Sequence, residues 1–267
     1  MPKNQSNVSK TRVAFLGGKP LGVRCLQTLL DNPRVDLVAV VCRPREASGW
    51  WHSEGQKRVI DVVEEFDLNR VEEGDLLNLD VDVAFSVMFY NIVRRSLIDH
   101  CGGRIYNLHP APLPYYRGSN SYSHAIINGE SEYGVTLHVI DPGIDTGAIM
   151  EVKWFDIDPH MSAKALHDYS REKAVELFEE RLPDILDGEF QLADQKELLE
   201  STGKVSHTYQ KTSLEKLKRI ATEDIQEKPA ETLRLIRGLD FPPFEPGYVL
   251  IEGEKVYLSI NPCDNSR

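Results

Sequence analysis

The chain has 267 residues, 41% of them hydrophobic and 27% charged, with a net charge of −11. That composition supports a buried core and argues against disorder. The acidic balance argues against sequence-independent nucleic-acid binding, which needs a basic face for the phosphates. No apolar run approaches the ~18–20 residues of a membrane span. The opening MPKNQSNVSKTR lacks the apolar stretch of a signal peptide, so a cytoplasmic chain with a flexible tail over residues 1–10 is expected. Cys25, Cys42, Cys101 and Cys263 form no C-x-x-C pair, and the histidines show no H-E-x-x-H spacing. Reduced thiols and no metal site are expected.

In chain order, Arg12–Leu16 reads as a β-branched strand ended by Gly17-Gly18-Lys19-Pro20, and Leu21, Cys25, Leu26, Leu29 and Leu30 recur at helical spacing. Asp36–Cys42 predicts a second strand, and Val59, Ile60, Val62, Val63 and Phe66 a second helix face. Val81–Val87 and Arg104–Leu108 predict further strands, with a helix from Ile92 to about Asp99 between them. Short continuous apolar strands alternating with amphipathic helices imply an open, mostly parallel α/β sheet covered on both faces, a frame that binds ligands at the carboxyl ends of its strands. Beyond it come a helix to Asn128, strands at Gly134–Val139 and Ala148–Trp154, and a helix from Ser162 to Leu182. The polar Gly188–Gln210 stretch places a boundary near residue 190, giving a catalytic domain over 11–190 and a small C-terminal region over 191–267. That region offers a helix at Ala230–Arg237 and a hairpin, Tyr248–Ile251 and Lys255–Ile260 around Glu252-Gly253-Glu254.

Chemistry concentrates between Tyr106 and Gly147. Asn107 and His109 are two apart at a strand end, so the pleat points both to one face and turns Leu108 to the other. Pro110, Pro112 and Pro114 stop further ladder pairing and stiffen the exit. Asp145 lies between Gly143 and Gly147, in a turn where small residues admit a close approach. Singly, the Asn reads as a cap and the His as structural; together, an amide and an imidazole on one face define a candidate site.

Asn107-Leu-His109-Pro110, Leu113-Pro114-x-x-Arg117-Gly118, Asn128-Gly129-Glu130, Gly134-Val135-Thr136 and Asp141-x-Gly143-x-Asp145-Thr146-Gly147 resemble the 10-formyltetrahydrofolate-dependent formyltransferases, and within them a nucleotide-sugar N-formyltransferase most of all. The chain departs from the common pattern at Ala111, where many relatives carry Ser, and at Ser119-Asn120, where the tRNA enzymes carry a Pro-containing sequence. The resemblance implies catalytic roles for Asn107 (oxyanion donor), His109 (proton carrier) and Asp145 (partner of the imidazolium). It assigns Ser86, Met88, Phe89, Tyr90, Leu113, Ile140 and Asp141 to folate, with core packing as the plain alternative for 88–90. Arg117, Ser119, Asn120, Phe241 and Phe244 are the candidates for the acceptor side, where Arg117 could equally brace its loop and the two Phe seal a junction.

The implied co-substrate is 10-formyltetrahydrofolate, without a metal. The short C-terminal region, the lack of a basic run near Trp50 and Trp51, and the absence of a Gly-Ser-Asn cradle in Gly17–Gly22 favour a nucleoside-diphosphate-linked amino deoxysugar of surface-polysaccharide (O-antigen) synthesis as acceptor. Methionyl-tRNA formyltransferase is the alternative, with a non-catalytic folate- or nucleotide-binding relative as a third reading. No nucleic-acid or membrane partner is expected, and an exposed hairpin edge suggests a homodimer.

Overall fold

The computed structural model describes residues 10–47, 49 and 55–260. Trp50, Trp51, Cys263 and the tail up to residue 9 lie outside the described residues. Within them the chain divides into two units: 10–109, 136–151 and 174–198 form one, and 110–135, 152–173 and 199–260 the other.

The first unit carries the sheet. Strands β1 (Thr11–Gly17), β2 (Val35–Val41), β3 (Val83–Val87) and β4 (Ile105–His109) pair in parallel, joined by helices α1 (Lys19–Asp31), α2 (Val59–Glu65) and α3 (Arg95–His100). Val13, Phe15, Leu16, Val83, Phe85 and Leu108 are fully or almost fully buried, as expected where helices cover both faces. The sheet order is β2-β1-β3-β4-β6-β7, with β6 (Glu132–Val139) antiparallel to β4 and β7 (Ile149–Asp156) at the edge. Strand β1 ends where a Cβ on Gly17 would strike the Phe15 ring, and the Gly18 N–H donates to the Val87 carbonyl at 3.1 Å, pinning the turn to the end of β3. Helix α5 (Ala163–Asp187) contributes Phe178, which meets Phe85 edge-on at 5.1 Å between ring centres. Burying each of these rings stabilises the sheet by roughly 1.5–3 kcal/mol.

In the second unit a three-residue strand, β5 (Tyr116–Gly118), pairs in parallel with β8 (His207–Tyr209). Gly118 (φ +82°) is required there, since a Cβ would lie 2.4 Å from the Tyr209 carbonyl oxygen. Helix α4 (Ser121–Asn128) abuts α8 (Pro229–Leu239) at Gly238, where a side chain would collide with Ile127 and the Ser123 carbonyl. The unit ends in the hairpin β9 (Tyr248–Ile251) and β10 (Glu254–Tyr257). Glu252 (φ +53°) and Gly253 (φ +88°) form its two-residue loop, the geometry that matches strand twist.

The mostly parallel sheet and terminal hairpin agree with the expected architecture, with local corrections. The last strand stops at Tyr257 rather than Ile260, and Glu254 belongs to the ladder rather than the turn. Helix α3 begins at Arg95 after an extended Arg94, leaving Ile92 exposed outside it, and α5 runs on to Asp187. Strands β5 and β8 and helices α6 (Gln195–Thr202) and α7 (Thr222–Glu227) carry too short a periodicity to be anticipated.

Candidate active site

Asn107 and His109 close β4 in the first unit. Their register partners on β6 are His138 and Thr136, so all four side chains stand on one sheet face. Leu108, opposite Leu137, turns to the other face and is buried there. The pleat therefore delivers an amide and an imidazole together at the carboxyl end of a strand.

His138, which the sequence reading did not single out, is central. Its Nδ1 lies 2.9 Å from the Val139 carbonyl oxygen, an acceptor only, so Nδ1 carries the proton. Nε2 is then left with a lone pair and accepts from the Asn107 Nδ2–H at 3.0 Å. The acceptor lone pair on Nε2 thus fixes the amide's orientation by chemistry. Burial, reinforced by the nearby His109, pushes the His138 pKa down to about 4, so the ring is neutral near pH 7. The two imidazoles meet edge to face at 6.3 Å.

Asp145 completes the cluster, with Oδ1 3.8 Å from His109 Nδ1. It sits in the β6–β7 turn with φ +53°, a left-handed conformation unfavourable for a non-glycine residue. Several contacts hold it so. Asp141 Oδ1 accepts from the Gly143 N–H at 3.0 Å and from Thr146 Oγ1 at 2.6 Å. A Cβ on Gly147 would lie 1.8 Å from the Val139 carbonyl oxygen, and one on Gly143 would lie 1.9 Å from Thr146 Oγ1. The close approach expected of these glycines is thus within the turn itself.

The residues assigned to folate divide between the units. Ser86 is buried in β3, in register with Asn107. Met88 takes a positive φ (+53°) where the chain leaves β3. Phe89 and Ile140 pack from partly buried positions against the Leu16–Ala84–Ile105 core. The Phe89 and Tyr90 rings lie 4.7 Å apart, with the Arg43 guanidinium over Tyr90 at 4.6 Å. Ile144, beside Asp145, is 57% exposed, an apolar surface with no core to serve. Leu113 belongs to the second unit, where it is buried.

The acceptor-side candidates all lie in the second unit. Arg117 pairs with Thr208 in the β5–β8 ladder, and the Ser119 N–H donates to the Tyr209 carbonyl. Asn120 (φ +61°) donates through Nδ2 to the carbonyls of Gln210 and Lys211 and to Ser213 Oγ, fastening that segment. Phe241 meets His167 edge-on at 5.1 Å and Phe244 at 5.8 Å, and Phe244 is half exposed.

Cys25, Cys42 and Cys101 are buried and free, with burial raising each thiol pKa. Among the described residues no group of three or more His, Cys, Asp or Glu side chains could hold a metal ion. Among them, too, no helix is long and apolar enough to cross a membrane.

An open α/β sheet with an amide, imidazole and carboxylate gathered beside one strand end has the groups that acyl transfer to a nucleophile requires. The formyl transferase family model matches residues 11–182, and the chain belongs to that family. Methionyl-tRNA formyltransferase of Finegoldia magna is 29% identical over 167 residues, covering 60% of this chain and 54% of that protein, so the match spans about half of that relative's length. Methionyl-tRNA formyltransferase of Geobacter sulfurreducens is 27% identical over 260 residues, covering 92% of this chain and 77% of that protein. Among solved structures, an N-formyltransferase from Helicobacter canadensis, in complex with folinic acid and dTDP-3-aminofucose, superposes with a TM-score of 0.74 at 22% identity, over 92% of this chain and 86% of that one.

Proposed function

We propose that the protein transfers a formyl group from 10-formyltetrahydrofolate to the amine of a nucleoside-diphosphate-linked amino deoxysugar. The convergence of Asn107, His109 and Asp145 carries the transfer chemistry. When bound, the folate supplies the formyl carbon and a nitrogen leaving group. With Nδ1 toward Asp145, His109 presents Nε2 to take the proton of the attacking amine and return it to the departing nitrogen. The carboxylate stabilises the imidazolium between those two events. Asn107, with one Nδ2–H committed to His138, has the second to offer the oxyanion that forms at the formyl carbon. The exposed Ile144, the half-buried Phe89–Tyr90 pair and the turned backbone at Met88 suit a flat, amide-bearing ring system.

The sugar reading draws on the likeness to the Helicobacter canadensis structure over nearly the whole chain, and on a net charge of −11 unsuited to a polyanionic RNA. A second reading, transfer to methionyl-tRNA, is favoured by the names of the sequence relatives. An assay of formyl transfer to a panel of nucleotide-linked 3-amino and 4-amino sugars, beside charged initiator tRNA, decides between them. Turnover on an amino sugar is expected, with Asn107→Ala and His109→Ala each lowering it by about 10²–10³-fold. Turnover on tRNA alone would overturn the acceptor while leaving the mechanism intact.

A further inference from the structure

Gln195 lies 50 positions beyond Asp145 in sequence, inside the same unit, and is 3% exposed. Its Nε2 donates to two carbonyls of the β6–β7 turn, that of Asp145 at 3.0 Å and that of Gly147 at 2.7 Å. A primary amide is suited to this task, because one nitrogen carries two hydrogens in a fixed plane. The approach is itself built. Asp194 Oδ1 accepts from the Lys196 and Glu197 N–H groups at 2.8 and 3.1 Å, capping α6 so that Gln195 is its first residue. One step earlier, Ala193 and Ile149 exchange both backbone hydrogen bonds, at 2.8 and 2.9 Å, tying the segment to the start of β7.

From this geometry we infer that Gln195 is a positioning residue for Asp145: it clamps the backbone on both sides of Thr146 and so sets the carboxylate against His109. Asp145 stands in the left-handed region, which is unfavourable for a non-glycine residue, so its turn must be held by other contacts. Asp141 braces the turn from within, through Gly143 and Thr146; Gln195 holds the backbone of its second half from the neighbouring segment. Releasing it takes the Gln195 hydrogen bonds from two carbonyls and lets the carboxylate drift, and a displacement near 1 Å costs about 10²-fold in rate.

The inference rests on the proposed formyl transfer, so its test has one arm that needs no turnover. Gln195→Met keeps the bulk and removes both hydrogens. Gln195→Glu keeps the shape and carries the test should the Met variant not fold. Amide hydrogen exchange over residues 141–147 is expected to quicken in either variant while exchange in β1 and β3 holds. With the acceptor that wild type uses, kcat is expected to fall about 10–10²-fold with both KM values within about twofold. In an Asp145→Asn background the same substitution is expected to add no further loss, because the group being positioned is gone. An equal loss in both backgrounds, or unchanged exchange and kcat, overturns the inference. Failure of wild type to transfer formyl to any acceptor would instead sink the functional reading, and exchange alone would then judge the clamp.

Discussion

Asn107 and His138 face each other across the antiparallel β4–β6 ladder, amide nitrogen to imidazole nitrogen at 3.0 Å, and the direction of that bond is dictated from behind by the Val139 carbonyl. A backbone acceptor thus decides which way the Asn107 amide, the proposed oxyanion donor, points. The chain is carbonyl to Nδ1–H, through the ring, to Nε2, to Asn107.

Replacing His138 should therefore disable Asn107 without touching it. His138→Phe keeps a flat ring and removes the acceptor; kcat is expected to fall about 10–10²-fold with little change in KM, since a misdirected oxyanion donor weakens the transition state more than substrate binding. His138→Gln retains a carbonyl acceptor and should recover part of that loss. Equal activity of the Phe variant and wild type would show that Asn107 orients itself.

The same ring makes stability depend on pH. Burial holds its folded pKa at about 4, below the ordinary imidazole value of about 6.5, so between those values the unfolded chain binds the proton more readily. The contribution is complete above about pH 6.5 and is lost as pH falls toward 4. His124, whose pKa burial and His207 also lower to about 4, adds to the same acid sensitivity. Urea midpoints at pH 7 and pH 4.5 should show wild type losing more stability on acidification than His138→Gln.

Gly147→Ala should damage stability and turnover together. The added carbon would lie 1.8 Å from the Val139 carbonyl oxygen and 2.8 Å from its carbon, both backbone atoms that cannot swing aside. A cost of about 1–3 kcal/mol is expected from such overpacking, with loss of activity as the Asp145 turn shifts. Gly143→Ala should be milder in thermal melts, because the atom it meets is the hydroxyl of Thr146, a side chain that can rotate once it gives up Asp141.

Much of this site is legible in the sequence, and the reasons are local. The alternation Asn107-Leu108-His109 needs only the two-residue pleat of a strand, and the glycines flanking Asp145 announce a tight turn. His138 is hidden because Thr136–Val139 reads as an ordinary buried strand; its role depends on facing Asn107, a fact of β4–β6 register. Gln195 is hidden more thoroughly. It lies in a polar stretch with no periodicity, and its partners are carbonyls, which every residue possesses. The short strands β5 and β8 are defined by each other across 91 positions (Tyr116 to His207), so neither segment carries the signal alone.

The reversed direction of β6 has a consequence for chain length. Val139 lies beside Tyr106, three residues short of His109, so the segment leaving the strand starts roughly 10 Å from the imidazole it must reach. Residues 140–145 double back over that gap and serve as a molecular spacer. Asp141 and Gly143 fix the course of that path and Asp145 ends it, so gaining or losing a single position here would require a new route from Val139 to His109.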